Sequence, residues 1–169
     1  MEHSSKSQPF RLVEPVAAGL PDRQYEPILL ATVQILDAYW AQAIPLLERC
    51  IGEAMHGELT IEDLYEGIKA GQLFGIVFKN DEGELPDVAL ALVLEPLLYP
   101  RMPVMNVVAL GGRDLGVFGE QSWRHICSWA YMSGLRHMQA SASPAMARML
   151  KKLGFKPVYT TMRMDLTEM

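Results

Sequence analysis

The chain has 169 residues, half of them hydrophobic and 21% charged, and carries a net charge of −5. This length and composition are those of one globular domain with a hydrophobic core, and they exclude a disordered chain. The acidic balance, with a pI near 5.4, argues against broad binding to nucleic-acid phosphates. Cys50 and Cys127 are too few for a disulfide framework, and we predict two buried free thiols.

The first 33 residues are the hardest to assign to an element. Residues 1–9 are polar and predict an arm, and prolines interrupt the stretch that follows. We therefore divide the chain into an N-terminal extension, 1–33, and a domain, 34–169. No segment approaches the roughly 18 uncharged apolar residues of a membrane span, and the polar N-terminus has no signal-peptide core.

Two helices are predicted before the first strand of the domain, and the apolar stretch 28–44 before them, around Trp40, is also compatible with a helix. Pro45 suits the first position of the first helix, which stops before Gly57. Thr60 and Asp63 have the spacing of a capping box at the start of a second, short helix.

Apolar runs then predict three strands, at 73–78, 87–94 and 104–110. The third run ends at Gly111-Gly112, and a glycine-punctuated loop, 113–119, leads to a helix predicted to begin near Gly119. Such a loop at a helix N-terminus is where backbone N–H groups can hold a phosphate, although these glycines equally suit a simple turn.

The remaining elements alternate between strand and helix. The helix after the loop carries Trp123 and Trp129, which are six residues apart, so we expect one in the core and one exposed. A strand at 137–142, a helix opened by Pro144 and a final strand at 158–166 complete a mixed α/β domain. No cysteine or histidine cluster has the spacing of a metal site.

This order of elements resembles the GNAT (Gcn5-related N-acetyltransferase) superfamily over about residues 44–166. The ending Leu153-Gly154-Phe155 before a strand is frequent in that family. The segment Ala109–Gly112 and the tryptophans of the next helix more narrowly resemble GNAT-like proteins of tailed bacteriophages. The resemblance implies an α/β fold with a GNAT-like mixed sheet and helices on both faces.

In active members, the resemblance implies a loop of the form Arg/Gln-x-x-Gly-x-Gly/Ala that binds the pyrophosphate of acetyl-coenzyme A. Arg113 and Gly116 match its first two fixed positions, whereas Phe118 stands where a small residue is expected. The candidate cofactor-binding residues that follow from this match are six: Leu110, Gly111, Gly112, Arg113, Gly116 and Gly119.

The catalytic positions implied by the resemblance are not filled. Leu150 stands where a general-acid tyrosine is common, Ser143 where an asparagine is common, and residues 104–110 contain no acid. Glu95, at the end of the preceding strand, and Tyr159, after the Gly-Phe turn, are the candidate replacements as base and acid.

Two functions follow. The first is a non-catalytic structural or interaction protein, in a phage particle or against a host protein. The second is an acetyl-coenzyme A-dependent N-acetyltransferase acting on an amine of a small molecule or protein. Under the first, residues 10–45 are the predicted surface for a protein partner, either a second copy or another virion or host protein. We expect no membrane association, and a location in the host cytoplasm or within a phage particle.

Overall fold

A computed structural model of the protein describes residues 25–54, 57–80, 87–113 and 115–169. Strand order along the sheet follows chain order, and successive strands from the first to the fourth are antiparallel, whereas the fifth is parallel to the fourth. The elements in chain order are β1 (Glu26–Leu29), α1 (Val33–Ala54), α2 (Ile61–Lys69), β2 (Phe74–Asn80), β3 (Asp87–Leu98), β4 (Pro103–Gly112), α3 (Leu115–Met132), β5 (His137–Ala140) and α4 (Pro144–Lys152).

The predicted α/β class, with a mixed sheet and helices on both faces, is confirmed. Strand β3 shows the reason, because its successive side chains alternate between two cores. Leu92 and Leu94 face α3, while Ala91 and Val93 face α1 and α2. A strand that is covered on both faces is apolar at almost every position, as the run 87–94 is.

Strand β1 lies within the segment 1–33 that the sequence marks as an extension, and it pairs with β2. Residues 1–24 and the turn at 81–86 lie outside the described residues, so the predicted arm and the division into extension and domain stay predictions.

Helix α1 is one helix of 22 residues, so the prediction that a new helix begins at Pro45 is wrong. Proline has no N–H and costs an interior helix one hydrogen bond. The apolar stripe nevertheless continues through it, with Leu36, Ala43 and Leu47 all buried against the sheet. Burial of this continuous face outweighs the missing hydrogen bond.

The capping box that begins α2 is confirmed. The hydroxyl of Thr60 accepts a hydrogen bond from the N–H of Asp63, and the Asp63 carboxylate accepts one from the N–H of Thr60. The Thr60 hydroxyl also donates to the Asp63 carboxylate, at 2.9 Å. The bonds that the carboxylate accepts from the Thr60 backbone N–H and from the Thr60 hydroxyl lower the pKa of Asp63, and the backbone bond contributes most. The helix ends at Lys69, and Gly71, just after the C-cap Ala70, has a φ of 74° in the left-handed region.

The predicted final strand, 158–166, is wrong. This segment has no strand partner in the described part of the chain and ends in a single 3-10 turn, Leu166–Glu168. The alternation of apolar and polar residues indicates a preference for extended backbone, but a strand also requires the edge of another strand to pair with. The expectation of one exposed tryptophan is wrong too, since Trp123 and Trp129 are both buried.

Trp123 packs on Phe155, just beyond α4, with ring centroids 5.3 Å apart. Helix α3 is therefore covered by the chain after α4 as well as by the sheet, and this second cover buries a side chain that a single core-facing stripe would leave exposed. No helix in the described ranges is long and apolar enough to cross a membrane.

Candidate functional site

The parallel strands β4 and β5 pair over four residues only and then separate. The pairing runs from Val104 opposite His137 to Val107 opposite Ala140, whereas β4 continues to Gly112. At this point β4 also carries a bulge, because Val93 and Leu94 pair with residues 109 and 107 and leave residue 108 unmatched. Beyond Val107, the edge of β4 that faced β5 therefore has no strand partner among the described residues.

The two glycines that end β4 have close neighbours. A Cβ atom on Gly111 would lie 2.0 Å from the backbone oxygen of Leu46 in α1, and one on Gly112 would lie 2.9 Å from the backbone oxygen of Ala89. Both glycines therefore allow close packing inside the fold. Leu110, just before them, is buried in the core on the α3 side. The predicted cofactor-binding role of these three residues stays a prediction.

Helix α3 begins at Leu115, four residues earlier than predicted. Gly116 and Gly119 consequently lie in its first turns rather than in a loop. Glycine keeps its backbone N–H and C=O groups, so it can continue a helix at an entropic cost of about 1 kcal/mol relative to alanine. The first N–H groups of a helix have no intrahelical acceptor and carry a partial positive charge. No acidic residue lies in the first turn of this 18-residue helix, and Asp114 immediately precedes it in the sequence. The N–H groups of such a first turn are of the kind that binds anions.

Arg113 joins the end of β4 to the start of β3. Its guanidinium donates to the Asp87 carboxylate at 2.6 Å and to the Val88 carbonyl at 3.1 Å. Its backbone N–H donates to the Ala89 carbonyl at 3.0 Å. The guanidinium is thus held on the β3 side, although it lies next to the start of α3. The ion pair is more than half exposed on both sides and contributes little to stability.

A row of three polar side chains crosses the sheet beside the separation of β4 and β5. Glu95 in β3 pairs with Asn106 in β4, and Asn106 pairs with Gln139 in β5. All three are partly buried, and the Asn106 amide donates to the Glu95 carboxylate over a long 3.5 Å. Alternation along each strand places the row on the sheet face of α1 and α2.

No hydrogen bond joins Glu95 and Tyr159, the predicted base and acid, in the described ranges. Tyr159 is 84% exposed in the segment after α4, whereas Glu95 is partly buried and accepts from Asn106. Their catalytic assignment stays a prediction. The site neighbours that the sequence analysis missed are Asn106 and Gln139. The available signal was a lone amide, Asn106, in an otherwise apolar strand.

The positions that the family resemblance singled out in α4 have structural roles. Leu150 is buried, and its carbonyl accepts hydrogen bonds from the N–H groups of Leu153 and Phe155. Ser143 is the N-cap of α4, with its hydroxyl accepting from the N–H of Met146. Neither side chain is placed to move a proton. Burial raises the pKa of the Cys127 thiol, which makes this cysteine a poor nucleophile.

No protein-family model matches the chain. No curated protein is similar to it in sequence. The fold, in contrast, is shared with solved structures of low sequence identity.

A predicted acetyltransferase from Clostridium acetobutylicum, solved with acetyl-CoA, is 9% identical, has a TM-score of 0.59, and aligns over 86% of this chain and 98% of its own. An aminoglycoside acetyltransferase from an uncultured soil sample, in complex with sisomicin, is 12% identical with a TM-score of 0.60, over 85% and 97%. Glucosamine-6-phosphate N-acetyltransferase from Arabidopsis thaliana is 11% identical with a TM-score of 0.58, over 85% and 99%. The chain therefore has the fold of the GNAT acetyltransferases.

Proposed function

We propose that the protein is an acyl-coenzyme A-dependent N-acyltransferase that transfers an acetyl group to an amine. The observation that carries the proposal is the separation of β4 from β5, which leaves a free strand edge leading directly to the N-terminus of α3. All three solved structures described above are named as acetyltransferases, and one was solved with acetyl-CoA.

The strand edge suits the pantetheine arm of acetyl-CoA, and the start of α3 suits its pyrophosphate. The pantetheine arm is extended and contains amides, which an unpaired strand edge can hold by backbone hydrogen bonds. The edge runs from residue 108 to Gly112. The pyrophosphate is an anion, and in this proposal it binds the N–H groups at the start of α3, which two residues separate from the end of β4.

The row of Glu95, Asn106 and Gln139 is the proposed binding place of the amine that accepts the acetyl group. When bound, acetyl-CoA supplies a thioester carbon that an amine attacks: the C–N bond forms, the C–S bond breaks, and coenzyme A leaves as the thiolate, which takes up a proton from water. The amine must lose a proton for this attack. Glu95 is the acidic residue of the row, and it lies opposite Asn106, two residues before the bulge of β4. We assign to Glu95 the acceptance of a hydrogen bond, and then of the proton, from the amine, and to Asn106 and Gln139 its orientation.

Calorimetric titration with acetyl-CoA tests the binding half of the proposal. Gly116 is the second residue of α3, where Asp is well tolerated by a helix but places a negative charge next to a bound phosphate. We expect Gly116→Asp to weaken binding at least about tenfold and the neutral Gly116→Asn to leave it within about threefold. Absence of binding to the unmodified protein at millimolar ligand, or equal binding by all three proteins, would contradict the proposal.

A non-catalytic interaction protein is the second candidate. Two observations favour it: the residue at the usual tyrosine position, Leu150, is buried, and Tyr159 is 84% exposed. A phage origin and a partner surface at residues 10–45 stay proposals. Within that surface, Leu36 and Ala43 of α1 are buried, so a partner would have to use other side chains. This candidate would be favoured if the protein bound acetyl-CoA but acetylated no amine, and if Glu95→Gln left the binding of acetyl-CoA unchanged.

A further inference from the structure

Strand β5 is the last strand of the sheet, and its outer edge is open. It has four residues and pairs only with β4 in the described ranges. An unpaired edge presents backbone N–H and C=O groups that can bind a further strand. Its two faces differ, since Met138 and Ala140 join the core on the α3 side, whereas His137 and Gln139 lie on the opposite face.

The C-terminal segment 158–166, which we call the tail, has the pattern of an amphipathic strand. In extended conformation its even-numbered residues share one face and its odd-numbered residues the other. The odd-numbered face consists of Tyr159, Thr161, Arg163 and Asp165. On the even-numbered face, apart from Thr160, all side chains are apolar and between 68% and 85% exposed: Val158, Met162, Met164 and Leu166.

The tail does not use the open edge of its own sheet. Phe155, just before it, packs on Trp123 on the α3 side. Arg163, within it, forms an ion pair with Glu58, which immediately precedes α2 on the opposite side. The tail therefore passes from one face of the sheet to the other, and both the edge of β5 and the apolar face of the tail are left uncovered in the described part of the chain.

We propose that the tail of one copy adds as a strand to the β5 edge of a second copy, and that the second copy returns its own tail. The apolar face of the tail would extend the row of Met138 and Ala140, and would pack near Met149 of α4. The polar face would extend the row of His137 and Gln139. The tail thus has both the backbone preference and the facial pattern that the edge requires.

A second copy is the occupant because each chain carries both the open edge and the strand that fits it. Reciprocal exchange satisfies both edges at once and gives a closed, two-fold symmetric dimer. A different partner would cover the edge but leave the tail exposed. Four large apolar side chains exposed in nine residues are more than a monomer normally keeps in contact with water. The inference does not depend on acyl transfer.

Light scattering coupled to size-exclusion chromatography, over a wide range of protein concentration, tests the proposal on the full chain. We expect a mass of twice 18.9 kDa that declines on dilution. Two single substitutions introduce the same charge on opposite faces of the tail, Met162→Asp on the apolar face and Thr161→Asp on the polar face. We expect the first to raise the dimer dissociation constant at least about tenfold and the second to change it by less than about threefold.

Hydrogen exchange completes the test and distinguishes the other occupants. In the exchanged dimer, protection of the tail and of β5 must rise together with protein concentration. A monomer at every concentration overturns the proposal, whether its tail is protected by pairing with its own β5 or is unprotected. A dimer that Met162→Asp does not weaken, while circular dichroism shows that the variant is folded, overturns it as well.

Discussion

The antiparallel part of the sheet differs from its parallel end in how completely its strands are paired and covered by helices. Strands β2 and β3 are paired along both edges and covered on both faces by α1, α2 and α3. At the parallel end, β5 has four residues and separates from β4 after Val107, and the chain after α4 ends in an exposed tail. Buried surface and backbone pairing, and hence most of the stability, are concentrated in the first region. The open hydrogen-bonding groups that can hold a ligand or a second strand are in the other.

Among substitutions that test this contrast, we expect the largest change in the free energy of unfolding at Gly111. A methyl group there meets the backbone oxygen of Leu46 at 2.0 Å, and neither α1 nor β4 can move without disturbing the core. We expect Gly111→Ala to lower the free energy of unfolding by about 3 kcal/mol, as severe overpacking does. Urea denaturation followed by circular dichroism measures the change.

Gly52 provides the matched control in the same helix that contacts Gly111. Nothing lies within 4 Å of a Cβ atom at Gly52, which is exposed in α1. Gly52→Ala should therefore raise the free energy of unfolding by about 0.5 kcal/mol through helix propensity. A Gly111→Ala protein as stable as the unmodified one would show that α1 does not pack on β4 as described.

A smaller effect is expected at the capping box of α2, which also belongs to the well-packed region. Thr60→Ala removes the hydroxyl that accepts from the Asp63 N–H and should cost about 1 kcal/mol. The same hydroxyl donates to the Asp63 carboxylate, which it helps to keep charged.

The pKa of Asp63 is lowered below its ordinary 3.8 in the folded protein. Its contribution to stability is therefore present above the unfolded pKa and is lost as the pH falls through the folded pKa. The cost of Thr60→Ala should be greatest near neutral pH and should shrink in acid, which urea denaturation at several pH values measures. A cost that is independent of pH would contradict the assigned hydrogen bond between the two side chains.

The elements that the sequence predicted well are those whose signals are local. Apolar runs located β2, β3 and β4 because central strands are buried on both faces. The spacing of Thr60 and Asp63 located the start of α2 because a cap depends on four consecutive residues. In both cases the stabilising contacts are made close by in sequence, or with any apolar neighbour.

The features that were missed depend on distant partners. The tail has the pattern of a strand, but this pattern does not identify the strand edge with which it pairs, or whether that edge belongs to the same chain. The buried position of Trp123 depends on Phe155, 32 residues later in the chain. In the candidate site, Glu95 was identified from its place at the end of a strand. Its neighbour Asn106 was missed because cross-strand register is set by the bulge in β4, which no local pattern reveals.

The smallest predicted effect is a difference in the free energy of unfolding between two variants, each of which removes one ion pair from one of the two regions. Arg163 and Glu58, which join the tail to the start of α2, are both largely exposed, so Arg163→Gln should change the free energy of unfolding by less than about 0.5 kcal/mol. Lys79 in β2 is only 18% exposed and pairs with Glu26 of β1 at 3.2 Å. Glu26→Gln removes one carboxylate partner of this less hydrated charge and should cost more, about 1 kcal/mol.

Both variants are to be compared by urea denaturation at low salt and at a protein concentration low enough to keep association from contributing. Urea is uncharged and leaves ion pairs unscreened, whereas guanidinium chloride would mask the difference. A cost for Arg163→Gln equal to or above that for Glu26→Gln would mean that the tail is fixed to its own chain as firmly as β1 is fixed to β2. The contrast between a closed antiparallel region and an open parallel end would then fail, because the tail would have to be counted with the packed part of the domain.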